Sequence, residues 1–197
     1  MPHQVLFIQG GGKGAHDDWD DKLVQSLGRE LGPGYEIRYP HMPNEAAPQY
    51  PRWKAAIEKE LSRLADGATL VGHSIGGTSL INTLVEKPPG LALSGVFLLD
   101  APFVGEGGWP SEDVKPMSGL GKRLPAQTPV YVYHGSKDET VPLEHADLYA
   151  RSIPQAVVRQ LNGRNHQLGN DLSEVAADIR QLKGGASSAA RTAARRR

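Results

Sequence analysis

The chain has 197 residues, a formal net charge of zero and no cysteine. A chain of this length can bury a core without staples, and without cysteine neither a disulfide framework nor a thiolate metal site can form. We expect a cytoplasmic protein, because the N-terminus lacks a signal-peptide pattern and no apolar run approaches the roughly 18 residues of a membrane span.

The charge is distributed unevenly along the chain. Residues 184–197 contain four arginines and no acidic residue. They also lack the large apolar side chains that would offset the entropy lost on ordering. We predict one folded domain over residues 1–183 and a disordered tail over residues 184–197. Four charges in 14 residues form a sparse basic patch, so we expect no nucleic-acid partner.

Six short runs rich in apolar and β-branched residues alternate with segments in which apolar residues recur every three or four positions. In chain order, the runs that predict strands are residues 5–8, 35–39, 69–71, 95–99, 130–133 and 156–161. The helical stripes that we expect to face a core are Trp19, Leu23, Leu27 and Leu31, then Trp53, Ile57, Leu61 and Leu64, and finally Leu172, Val175, Ala176, Ile179 and Leu182. Because parallel strands need crossover connections, this alternation predicts an α/β fold with one doubly wound, mostly parallel sheet and helices on both faces.

One pentapeptide carries the strongest chemical signal. Residues 72–76 read Gly-His-Ser-Ile-Gly and lie between a predicted strand and a predicted helix. In a nucleophile elbow the serine has a strained backbone, and side chains two positions to either side would collide with it. The pattern predicts that Ser74 is a nucleophile, whereas the alternative role, an ordinary helix N-cap, needs no flanking glycines. His73 is expected to point away from the nucleophile.

Polar side chains that could complete such a site follow three later strands. Ligands of a doubly wound sheet bind outside the carboxyl ends of the strands, and there the chain places Asp100, Asp138 and His166. A serine needs a base to take its proton, and that base needs an acceptor on its other ring nitrogen. The order Ser74, Asp138, His166 is the order of nucleophile, acid and base in α/β-hydrolases. Asp100 is a rival acid, because it follows the preceding strand and could approach the histidine from the same edge of the sheet. Only geometry can decide between the two carboxylates.

From about residue 4 to residue 182 the chain resembles a small α/β-hydrolase, and in particular the short, capless serine hydrolases of the retinoblastoma-binding protein group. The likeness lies in the elbow at residues 72–76, in the acid loop His-Gly-Ser-Lys-Asp-Glu-Thr-Val-Pro at residues 134–142, and in Asn-His at residues 165–166. The chain departs from the family's pattern after the first strand, where Gln-Gly replaces the usual His-Gly.

This resemblance implies a fold without a cap domain and a serine esterase that cleaves small-molecule esters through an acyl-serine intermediate. Ser74 would attack, His166 would carry the proton and Asp138 would orient His166, with no cofactor. The alternative is a non-catalytic binding protein on the same scaffold, because a fold does not fix a function. The filled triad positions favour the enzyme.

The glycine-rich loop at residues 10–15 fits two roles. It can supply one N–H of an oxyanion hole, for which we choose Gly11, and the second N–H would come from Ile75, directly after the nucleophile. The loop also matches the Gly-x-Gly-x-x-Gly/Ala pattern of dinucleotide-binding proteins. The helix that follows, however, opens with Asp17 and Asp18, whose charges would repel a pyrophosphate. We therefore expect the oxyanion role, and the scattered histidines predict no metal site.

Residues 101–129 separate the fourth and fifth predicted strands, which is too short a stretch for a full cap domain. Its glycines and prolines predict an irregular loop. Phe103, Trp109 and Met117 are candidates for lining an acyl pocket, with core packing as the alternative. A pocket walled only by a loop would be shallow and would favour small esters.

Overall fold

The computed structural model describes residues 2–117, 119–124 and 128–182. Six strands form one sheet in the order β2-β1-β3-β4-β5-β6, and every neighbouring pair is parallel. The strands are β1 (His3–Ile8), β2 (Tyr35–Arg38), β3 (Ala68–His73), β4 (Leu93–Leu99), β5 (Val130–Gly135) and β6 (Val157–Leu161). The doubly wound α/β fold expected from the sequence is thereby confirmed. The predicted tail at residues 184–197 lies outside the described residues.

Among the described residues, five α-helices connect or follow the strands. They are α1 (Asp21–Leu31), α2 (Tyr50–Leu61), α3 (Ile75–Glu86), α4 (Glu144–Ser152) and α5, which covers residues 173–182. A π-helical turn, Ala15–Asp20, leads into α1. Each crossover between parallel strands brings the chain back over one face of the sheet, which is why the helices divide between two layers.

Successive side chains of the buried strands point to opposite faces, and each face has its own core. In β1, Leu6 and Ile8 pack with α2, α3 and α4, whereas Val5 and Phe7 pack with α1 and α5. Because parallel sheets are covered on both faces, their strands are apolar throughout, and this is the continuous pattern that the sequence shows. The centre of the sheet is therefore buried on both faces.

The predicted helical stripes face these cores, with one exception. Leu23 and Leu27 are fully buried, but Trp19, placed in the same stripe, is 55% exposed. The prediction for Trp19 was wrong because it lies in the π-helical turn, where the wider i→i+5 winding breaks the 3.6-residue period that the stripe assumed. The exposed indole instead lies beside the loops at the carboxyl edge of the sheet.

Between β4 and β5 the described residues hold an isolated bridge and one turn of 3-10 helix, Leu120–Lys122, and no cap domain. Among the described residues, no helix is both long and apolar enough to cross a membrane. In the described part of the chain, loops and the π-helical turn cover the carboxyl edge of the sheet.

Two tryptophans offer a matched test of this packing. Trp53 is fully buried and its Nε1–H donates to the Pro43 carbonyl oxygen over 2.8 Å. Trp53→Ala leaves a cavity and an unpaired carbonyl, and should lower the free energy of unfolding by about 3–5 kcal/mol. Trp19→Ala removes an exposed ring and should cost less than about 1 kcal/mol. Urea unfolding followed by circular dichroism measures both, and equal losses would contradict this assignment of core and surface.

Candidate active site

The turn between β3 and α3 has the geometry of a nucleophile elbow. Ser74 has φ 52° and ψ −132°, a conformation that L residues rarely adopt. A Cβ on Gly72 would lie 2.6 Å from the Cα of Gly77, and a Cβ on Gly76 would collide with the carbonyl oxygen of Gln9. Glycine is therefore required at both flanking positions. The elbow presents the Ser74 hydroxyl at the carboxyl edge of the sheet.

Three side chains from separate loops form one hydrogen-bonded line. His166 Nε2 lies 3.1 Å from Ser74 Oγ, and His166 Nδ1 lies 2.8 Å from Asp138 Oδ2. With a carboxylate facing Nδ1, the ring carries its proton there, so Nε2 is free to accept the serine proton. The structure thus brings Ser74, His166 and Asp138 together in one line, with His166 between the other two.

The carboxylate of Asp138 is held by its own loop. Its Oδ1 accepts N–H groups from Thr140 at 2.7 Å and from Val141 at 2.9 Å. Burial alone raises the pKa of Asp138, but the bonds from His166 and from these amides hold the pKa below its ordinary value. Asp138 is therefore ionised at neutral pH and can stabilise a positive charge on His166.

The rival acid, Asp100, has a different environment. Its Oδ1 accepts the Gly135 N–H over 2.8 Å, while its buried Oδ2 has no hydrogen-bond partner among the described residues. Burial raises the pKa of Asp100 to about 8, and the nearby charge of Asp138 adds to this, although the Gly135 N–H opposes it. The geometry thus places Asp138, rather than Asp100, on the ring of His166.

Two backbone N–H groups close to Ser74 donate to no acceptor among the described residues. A Cβ on Gly11 would lie 2.8 Å from Ile75 Cγ2, so the loop after β1 packs directly on the start of α3. Within the described part of the chain, no hydrogen bond uses the N–H of Gly11 or of Ile75. The neighbouring amides are occupied, because Gly10 donates to Asp20 Oδ2 at 2.7 Å and Gly12 donates to the Glu45 carbonyl oxygen at 2.7 Å. Gly11 and Lys13 are thus the amides of residues 10–16 without an acceptor among the described residues, and the choice of Gly11 for an oxyanion hole stays a prediction.

His73 does not point away from the site, contrary to the expectation from sequence. It is buried between loops, with Nδ1 2.9 Å from Asp20 Oδ2 and Nε2 2.9 Å from the carbonyl oxygen of His166. The sequence analysis missed Asp20 altogether. A buried carboxylate needs a partner, and this rule could have indicated Asp20. Its burial, however, depends on the π-helical turn, which the sequence pattern did not predict.

Ser74 and His166 open into a cleft of about 820 Å³. The loops after β1, β5 and β6 form its walls, with Trp19 at one side. The predicted pocket residues lie elsewhere. Phe103 packs on Tyr149 with ring centroids 5.1 Å apart and, with Met117, borders a separate cavity of about 750 Å³, while Trp109 contacts His145. The prediction failed because the segment after β4 runs toward α4 instead of over the cleft.

Folding gathers histidines that are scattered in the sequence, so the sequence argument against a metal has no force by itself. Three groups of described residues bring possible ligand atoms within 4.8 Å of one another. Two of them contain Asp100 and belong to the hydrogen-bonded surroundings of His166. The third is His16, Asp17 and His41, where the two imidazole rings are stacked with centroids 3.4 Å apart. Stacked rings do not direct their lone pairs at one ion, because each ligand nitrogen points along its own ring plane.

Residues 6–168 match the serine hydrolase family. The chain belongs to this family. Among curated protein sequences, none matches it significantly. The closer resemblance to the retinoblastoma-binding protein group stays a prediction.

Solved structures share the fold at low sequence identity. The ydeN gene product from B. subtilis is 18% identical, with a TM-score of 0.69, over 92% of this chain and 99% of that chain. The esterase domain of a Rhodothermus marinus protein is 22% identical, with a TM-score of 0.60, over 94% of this chain and 86% of that chain. A serine hydrolase without a lid from Xanthomonas campestris is 16% identical, with a TM-score of 0.62, over 92% of this chain and 80% of that chain.

The unusual environment of Asp100 has a consequence for stability. The pKa of Asp100 is about 8 in the folded protein and about 4 in an unfolded chain, so folding favours the protonated form. The carboxyl group therefore destabilises the fold increasingly as pH rises from about 4 to about 8, by at most about 1.4 kcal/mol per pH unit. Asp100→Asn keeps an acceptor for Gly135 and cannot ionise, so its stability relative to wild type should increase between pH 5 and pH 8. Urea unfolding at several pH values measures this, and a difference that does not vary with pH would contradict it.

Proposed function

We propose that the protein is a serine esterase that cleaves carboxylic esters of small substrates through an acyl-serine intermediate. The observation that carries the proposal is the line from Ser74 Oγ through the ring of His166 to Asp138, at the floor of an open cleft. Membership of the serine hydrolase family supports the reaction class. A cytoplasmic location stays an expectation from the cysteine-free sequence.

In the first half-reaction, Ser74 Oγ attacks the ester carbonyl carbon while its proton moves to His166 Nε2. Asp138 stabilises the imidazolium that forms. The negative charge on the carbonyl oxygen is received by the N–H groups of Gly11 and Ile75, which have no other acceptor among the described residues. Collapse of the tetrahedral intermediate expels the alcohol, which takes the proton from His166 and leaves an acyl-serine.

In the second half-reaction a water molecule takes the place of the alcohol. His166 Nε2 accepts a proton from this water as its oxygen attacks the acyl carbon, and the same two amides again receive the oxyanion. Collapse releases the carboxylic acid, and the proton on His166 returns to Ser74 Oγ. The side chains are then in their starting state, and the proposed cycle has used only the ester and one water molecule.

The nucleophile can be tested by covalent labelling. Ser74→Ala should fold normally, lose labelling by a fluorophosphonate and lose ester hydrolysis by about 10⁴-fold or more. Ser62→Ala is a matched control, because its hydroxyl donates to the Lys59 carbonyl oxygen on an exposed helix end far from the cleft. Active-site labelling read by mass spectrometry checks both variants. Labelling that persists in Ser74→Ala, or a folded wild type that neither labels nor hydrolyses any ester, would favour the non-catalytic binding protein.

The cleft also predicts substrate size. Its walls carry the charged side chains of Lys13, Lys137 and Glu139, and the described residues between β4 and β5 provide no cap over it. A long apolar chain would remain exposed to water there and would gain little from binding. We expect kcat/KM for aryl esters to be highest for short acyl chains and to fall toward palmitate, without activation at an interface. Rates that climb with chain length, or that rise sharply above the critical micelle concentration, would instead indicate a lipase-like site.

A further inference from the structure

A buried ion pair joins three parts of the site that the mechanism uses. The side chains of Asp20 and His73 are each 1% exposed and lie 2.9 Å apart. Asp20 Oδ2 also accepts the Gly10 N–H, so the pair anchors the loop that carries Gly11. His73 is the residue before Ser74, and its Nε2 faces the backbone carbonyl oxygen of His166 over 2.9 Å. The pair therefore contacts the elbow, the oxyanion loop and the loop of the base.

A count of donors shows the charge that His73 must carry. Both of its ring nitrogens face acceptors, a carboxylate oxygen at Nδ1 and a carbonyl oxygen at Nε2. A neutral imidazole has one N–H and can satisfy one of them, whereas the imidazolium donates to both. Burial alone raises the pKa of Asp20, but the charge and hydrogen bond of His73 and the Gly10 N–H hold that pKa below its ordinary value. The proton between them consequently belongs to His73.

We propose that His73 is a positively charged positioning residue that holds the loop of His166 against the elbow, and that loss of its proton inactivates the enzyme at alkaline pH. The effect on activity rests on the esterase function proposed above. The charge state of His73 stands on the hydrogen-bond geometry alone.

Several titratable groups face His73 from the elements around it. Asp20 approaches from the π-helical turn, Asp100 from the end of β4, and the ring of His166 lies 4.9 Å away on the loop after β6. Burial lowers the pKa of His73, but the two carboxylates and the His166 carbonyl oxygen more than offset this and raise the pKa to about 9. Since the folded-state pKa is raised, the contacts are complete below this pH and are lost as pH rises through it.

Deprotonation would act on the position of the base. The carboxylate of Asp20 is the stronger acceptor, so the remaining proton stays on Nδ1. Nε2 then turns a lone pair toward the carbonyl oxygen of His166, and two acceptors 2.9 Å apart repel each other. The ring of His73 is buried, and a retreat from the carbonyl oxygen would break the 2.9 Å contact between its Nδ1 and Asp20. The His166 loop must move, and the 3.1 Å contact between His166 and Ser74 is lost.

The test compares pH profiles of kcat for a short aryl ester between pH 6 and pH 10.5, after subtraction of the rate with Ser74→Ala. We expect wild type to lose activity with a midpoint near pH 9 and to fall about tenfold per pH unit beyond it. His73→Gln places an amide N–H near the His166 carbonyl oxygen and cannot titrate. Its rate should be lower but nearly constant from pH 8 to pH 10. A purely structural role would lower the rate without changing the shape of the profile.

Two further variants sharpen the comparison. Asp20→Asn removes the charge that favours the imidazolium, so the alkaline midpoint should move to lower pH by at least one unit. His145→Asn is the control, because His145 is also buried but its Nδ1 accepts the Phe103 N–H over 2.7 Å, and an asparagine oxygen can replace that acceptor. The control should keep the wild-type midpoint. A wild-type rate that stays flat to pH 10, or an unchanged midpoint in His73→Gln or Asp20→Asn, would overturn the proposal.

Histidine ring ¹⁵N spectra of the wild-type protein test the charge without any reaction. We expect both ring nitrogens of His73 to be protonated at pH 7.5 and to titrate near pH 9, with Asp20→Asn identifying the signal by its shift. A single protonated nitrogen at pH 7.5 would refute the proposal even if the variants fail to fold. If no ester is hydrolysed at any pH, the proposed function fails, while these spectra still decide the charge of His73.

Discussion

The strained backbone of Ser74 is the constraint around which the carboxyl edge of the sheet is arranged. A non-glycine residue at φ 52° costs about 1–3 kcal/mol, and it persists only where its surroundings fix it. Here the Ser74 N–H donates to the Leu99 carbonyl oxygen at 2.8 Å, and Gly76 lies directly against the carbonyl oxygen of Gln9. The elbow is thus fixed from β4 on one side and from β1 on the other. A substitution that widens either contact would move the nucleophile.

Parallel strands explain how residues so far apart in sequence meet. His166 is 92 residues from Ser74 and 28 from Asp138, yet each follows the carboxyl end of a strand in the run β3-β4-β5-β6. The same topology concentrates three carboxylates in one small volume. They avoid mutual repulsion by different means: Asp138 is hydrogen-bonded and ionised, Asp20 is paired with His73, and Asp100 is favoured in its protonated form. These environments, and not their positions along the chain, distinguish their roles.

The fold, and the meeting of Ser74, Asp138 and His166 at one edge of the sheet, were accessible from the sequence because both depend on local patterns. The alternation of apolar strand runs and helical stripes indicated a mostly parallel sheet, although not the order of its strands, and Gly-His-Ser-Ile-Gly at residues 72–76 specified a turn that tolerates few other residues. The errors concern side chains whose direction depends on long-range packing. Trp19 departs from its predicted stripe because it lies in a π-helical turn. Phe103 packs with residues of α4, and the partner of His73, Asp20, lies 53 residues away in the sequence. No periodicity encodes such contacts.

His73 and His166 show how neighbours assign different tasks to one type of side chain. Their rings are 4.9 Å apart and share one cleft. His166 has a carboxylate at one nitrogen and a hydroxyl at the other, and because the hydroxyl can donate, a neutral ring satisfies both contacts and remains able to accept a proton. His73 has acceptors at both nitrogens, so only the charged ring satisfies its contacts. In the proposed mechanism His166 gains and loses a proton, whereas His73 keeps its proton in order to satisfy both of its contacts. We therefore propose that the acceptors around each ring, and not its position in the chain, decide which histidine exchanges a proton and which keeps one.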